Sequence, residues 1–62
     1  ITIDESYKIL GLEKGCKKNQ VIKAATKLQK KIHTDMNRNM NTERLSQLVN
    51  EAKDIILKED FN

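Results

Sequence analysis

Two narrow apolar stripes at helical spacing, separated by a short polar break, leave this chain very few folds. The first stripe is Val21, Ala24, Ala25, Leu28 and Ile32, at i, i+3, i+4, i+7 and i+11, which puts all five on one side of an α-helix. The second is Leu45, Leu48, Val49, Ala52, Ile55 and Ile56. Isolated helices of this length are marginal in water, and neither can bury its own stripe. With roughly eight to ten residues between them, the two must pack as an antiparallel hairpin. No proline interrupts the chain, and Tyr7 and Phe61 are its only aromatics, so the core is aliphatic. The predicted class is all-α.

At 62 residues the chain holds one domain near the lower limit of independent folding. A sequestered active site is hard to build at this size, so the sequence reads as a binding module and not an enzyme. Because it starts at Ile1 and not Met, residues 1–62 read as one module of a longer protein.

Asp4 is the expected N-cap of a short helix ending at Leu10, with Gly11 as its stop. A loop from Leu12 to about Lys18 follows, broken again at Gly15. The second helix is predicted from Lys18 or Asn19 to Ile32, then a loop from His33 to Met40 that includes Met36. The asparagines at 37 and 39 lie in that loop, and the third, Asn41, is the expected cap of a third helix reaching about Lys58; Glu59 to Asn62 are expected to fray. The first helix supplies Tyr7, Ile9, Leu10 and Leu12 to close one end. The predicted core is Leu10, Val21, Leu28, Ile32, Leu45, Val49, Ala52 and Ile56, with Leu28→Ala expected to cost roughly 2–5 kcal/mol.

Charge is unevenly spread. Residues 14–31 hold seven lysines and no acid, while the chain as a whole is only +3. Lys23, Lys27 and Lys30 fall opposite the apolar stripe of the second helix, with Lys31 on its shoulder. A field of this kind suits an acidic partner. Cys16 is the single cysteine, which excludes an internal disulfide and a cysteine-based zinc site and fits an intracellular, reducing compartment. Cys16 itself reads as a buried thiol. No metal and no cofactor is expected, and no apolar run is long enough to cross a membrane.

The order of parts resembles the J-domain of DnaJ-type co-chaperones. That family shows a Tyr-x-Ile-Leu-Gly-Leu first helix, a basic second helix, a His-Pro-Asp-Lys-Asn loop and an Asn-Glu-Ala pattern in the third helix. The matching residues here are Tyr7 to Leu12, Val21, Ala24, Leu28, Lys31, His33, Asp35, Asn37 and Asn50-Glu51-Ala52. The resemblance implies a J-domain-like hairpin with a short helix packed on it. It also implies docking on the ATPase domain of a DnaK-type heat-shock chaperone, whose ATP hydrolysis the module stimulates without a catalytic centre of its own. The implied chaperone-binding residues are Lys23, Lys27, Lys30, Lys31, His33, Thr34 and Asp35.

The pattern departs at four places. Thr34 replaces the loop proline, at an expected cost of about 0.4–1 kcal/mol of preorganisation. Ala25 and Lys53 stand where tyrosines are usual, and Lys17 replaces the Ser or Thr cap of the second helix. A narrower resemblance, through Ile1 to Ser6, Lys8 to Leu10 and Asn50 to Ile55, is to the J and J-like subunits of the mitochondrial import motor. It implies the inner membrane facing the matrix; without it a cytoplasmic setting is expected. It also raises an alternative, a degenerate J-like subunit that pairs with a true J-domain. Nucleic-acid binding is disfavoured, because the basic helix has no arginine to read bases and no aromatic to stack on them.

Overall fold

The computed structural model describes residues 1–35 and 40–61, apart from the side chains of residues 35, 40 and 41. It contains three helices: α1 (Ile3–Leu10), α2 (Lys18–Asp35) and α3 (Met40–Asp60). No strand occurs among the described residues. Helix α3 is the centre of the assembly, with α1 and α2 both packed along it and α1 only lightly against α2.

Helix α1 begins two residues earlier than an Asp4 cap would place it. Thr2, not Asp4, is the N-cap. Its Oγ1 accepts the Glu5 N–H at 3.1 Å, while Glu5 Oε1 accepts the Thr2 N–H at 3.2 Å. This reciprocal capping box satisfies two donors that the helix start would otherwise leave open. Asp4 takes the first turn, where its charge favours the positive helix end. At the other end Gly11 adopts a φ of 69°, a left-handed conformation that strains any residue with a Cβ. Its N–H reaches Lys8 O at 3.1 Å, and the Leu12 N–H reaches Tyr7 O at 2.9 Å. These two bonds close the last turn as expected of a glycine stop.

Helix α2 starts behind Lys17, which has no side chain able to cap. Gln20 makes up part of the loss: its Oε1 accepts the Lys17 N–H at 2.8 Å. The helix then runs three residues past Ile32, so His33, Thr34 and Asp35 belong to its last turn and not to a loop. Thr34 explains this. It keeps the N–H and the free φ that a proline would remove, so nothing stops the helix there. Helix α3 begins at Met40, which puts Asn41 inside the first turn instead of at the cap. The expected packing of Met36 and Met40 and the match at Asn37 lie outside the described residues.

The core is Tyr7 and Leu10 from α1, Val21, Ala25 and Ile32 from α2, and Val49, Ala52 and Ile56 from α3. Leu28 and Leu45 were expected among them but are half-buried at the margin, because the interface centres on the Val21–Ala25–Ile32 row. Cys16 is likewise half-buried instead of buried. Across the hairpin, Gln29 Nε2 donates to Ser46 O at 2.8 Å, and the Ser46 hydroxyl donates back to Gln29 Oε1.

The C-terminal tail does not fray. Glu59 and Asp60 are helical, Phe61 packs against the core, and the Tyr7 hydroxyl donates to the Asp60 carboxylate. Of this tail, Asn62 alone lies outside the described residues.

Ile56 is fully buried whereas Leu28 is not. Ile56→Ala is therefore expected to cost about 2–5 kcal/mol, and Leu28→Ala distinctly less, by denaturant unfolding. The Tyr7 phenol is pushed up to about 12, first by its bond to Asp60 and then by burial. Its unfolded value is near 10, so the folded state holds that proton more tightly. The stabilisation is complete below about pH 10 and is lost as pH climbs toward about 12. Tyr7→Phe is expected to remove this alkaline loss, as measured by Tm at about pH 9 and about pH 11.

Candidate functional site

Burying Val21, Ala25 and Ile32 turns the opposite side of α2 to solvent. Lys23, Lys27, Lys30 and Lys31 all lie exposed there, with Lys23, Lys27 and Lys30 on successive turns of the outer face. Among the described residues none of the four meets a carboxylate; the ion pairs are Lys14–Asp4 at 2.5 Å and Lys53–Asp54 at 3.9 Å. The first of these holds the Asp4 carboxyl below its usual range, by hydrogen bond and then by charge.

The spacing of the four lysines works against the helix. Lys23 and Lys27, Lys27 and Lys31, and Lys27 and Lys30 are like-charge neighbours at i, i+4 or i, i+3. Each such pair costs about 0.2–0.5 kcal/mol. Folding gains nothing from that repulsion, so helix stability does not account for the lysine spacing.

His33 and Thr34 are exposed at the end of the same helix. His33 suits the negative C-terminal end of α2. At about 1.5 Å per residue, Lys23 to Thr34 makes a strip roughly 16 Å long on one rigid element. The seven residues singled out from the sequence thus lie on a single helix, although Asp35 contributes only its backbone to the described structure. Sequence reasoning missed the Gln29–Ser46 link, which ties this helix to α3 along its flank; two polar residues at the edge of apolar stripes gave no periodic signal. It also missed the Tyr7–Asp60 bond. The capping box, by contrast, was present in the sequence as Thr2-x-x-Glu5.

Among the described residues no three His, Cys, Asp or Glu side chains converge as a metal site would require, and no helix is long and apolar enough to cross a membrane. A short helix laid over a helical hairpin, with an exposed cationic face leading into His-Thr-Asp, is the architecture of a J-domain-like module. Comparison with known proteins agrees. The DnaJ-domain family model matches residues 5–60. A chaperone protein DnaJ of Lactiplantibacillus plantarum is 44% identical over 46 residues, covering 74% of this chain and 12% of that protein. The chain belongs to the DnaJ-domain family. It spans only about an eighth of the curated relative it matches, and no solved structure matches it.

Replacing Thr34 by proline is expected to end α2 near Ile32. The ring would clash with the Lys30 carbonyl and push His33 out of the helical region. Backbone chemical shifts of residues 31–35 should lose their helical offset while those of Val21 and Ile56 stay unchanged.

Proposed function

We propose that this domain is a co-chaperone module that docks on the ATPase domain of a DnaK-type heat-shock chaperone and stimulates its ATP hydrolysis. The observation that carries this reading is the exposed lysine face of α2 running directly into His33 and Thr34. The module itself performs no chemical step. Lys23, Lys27, Lys30 and Lys31 attract an acidic surface on the partner and set its orientation, which chiefly accelerates association. His33, Thr34 and Asp35 then meet the partner at the end of the strip, where a donor, a hydroxyl and a carboxylate offer short-range contacts. Stimulation follows from what those contacts do to the partner's ATPase.

One observation favours a second reading, a J-like subunit that binds a true J-domain and restrains it. Helix α2 continues through His33-Thr34-Asp35, so these residues are presented on a helical turn and not on an open loop.

Single-turnover ATP hydrolysis by a DnaK-type chaperone separates the two. Under the co-chaperone reading the domain accelerates hydrolysis, and Asp35→Asn abolishes the effect. Reversing Lys23, Lys27 and Lys30 to Glu should leave helicity intact while making association slower and less dependent on salt. Under the regulatory reading the parent gives no acceleration, Asp35→Asn changes nothing, and the domain binds another J-domain instead.

A further inference from the structure

We infer that Ile22 is an apolar anchor within the cationic docking face, holding an acidic protein partner after the lysines have brought it in. This rests on the docking reading above and adds a contact of a different chemical kind. Ile22 is 40% exposed, and among the described residues the other large apolar side chain so exposed is Ile1, which precedes α1. Every other exposed residue from 17 to 34 is polar or charged. It does not join the core, and a β-branched residue on a solvent-facing helix carries a rotamer cost that lysine largely and alanine wholly avoids.

Geometry ties Ile22 to the strip. Ile22, Thr26, Gln29 and His33 stand at i, i+4, i+7 and i+11, along one edge of α2 that borders α3 at Gln29, with Lys23 and Lys30 in the neighbouring row. Ile22 and His33 are separated by roughly 16 Å along the axis, the same stretch the lysines occupy. A partner that reaches from Lys23 to His33 must also cover Ile22. Charge complementarity makes that partner's surface acidic, and Ile22 requires an apolar depression among its carboxylates. A nucleic-acid backbone offers no such depression.

The two kinds of contact differ in range. Lysine attraction extends over a Debye length of about 8 Å, is screened by salt and acts on association. Burial of an isoleucine is short-ranged, indifferent to moderate salt and acts on dissociation. A single apolar group ringed by polar ones is the arrangement in which interface energy concentrates.

Ile22→Lys and Ile22→Ala test this with opposite signs. Both substitutions suit a solvent-facing helix, so the fold should be retained, which far-ultraviolet circular dichroism checks. Binding to a DnaK-type chaperone would be followed by stopped flow at about 50 mM and about 300 mM salt. Ile22→Ala is expected to raise the dissociation rate about 5- to 10-fold at both salts with association nearly unchanged. Ile22→Lys should associate faster yet dissociate at least as fast as the alanine variant. If the face were purely electrostatic, the added charge would tighten binding and Ile22→Ala would be neutral; either result overturns the anchor. Should the parent bind while Ile22→Ala leaves dissociation unchanged, only the anchor falls. A parent that binds duplex DNA but not the chaperone removes the co-chaperone reading and the anchor together.

Discussion

The burial of the α2 stripe against α3 places everything else. Val21, Ala52 and Ile56 are wholly removed from solvent, and together with Ala25 and Val49 they fix the rotation of α2 about its own axis. Once that rotation is set, the direction of the outer face is set too, because side chains on a helix cannot be re-aimed independently. Small residues at 25 and 52 let the two backbones approach, and α1 covers what the pair leaves open. The charged strip is therefore oriented by groups on the other side of the same helix.

That coupling changes what Thr34 means. A proline would make the end of α2 a corner, detaching the terminal residues from the rotation of the helix. With threonine the helix carries on, and His33 and Thr34 inherit the orientation that Val21 and Ile32 impose. At the opposite end Lys17 brings no side-chain cap, and Gln20 restores one hydrogen bond from within the first turn. Both ends of α2 thus accept less than ideal local chemistry, and the hairpin interface holds the helix regardless.

Most of this architecture was legible in the residues, and its errors have physical causes. The periodicity of Val21 to Ile32 and Leu45 to Ile56 defined two helices and their buried sides, because apolar spacing reports the face that packs. It could not say where the core is deepest, so Leu28 and Leu45 were assigned to a centre they only border. Helix ends were read from cap chemistry and suffered more. Asp4 was the expected cap, whereas Thr2, locked to Glu5 in the capping box, holds that place, and His33 to Asp35 were expected in a loop because they leave the apolar period, although a helix needs no apolar residue to continue. The candidate docking residues were proposed from charge pattern and motif; their alignment on one straight element follows only from the helical state of the last turn. Long-range polar pairs such as Tyr7–Asp60 leave no trace in local spacing.

The Tyr7–Asp60 bond also bears on the order in which the domain assembles. It joins residues 53 apart in sequence, whereas Gln29 and Ser46 are 17 apart. Closing the longer loop costs about 1 kcal/mol more in chain entropy, so the hairpin has the cheaper closure and α1 seals last. Transient opening of the native state retraces that hierarchy, with α1 and the end of α3 parting before α2 leaves α3. In amide hydrogen exchange the two ends of the chain would form the weakest cooperative unit, while the helix that carries the lysines keeps its shape through such excursions.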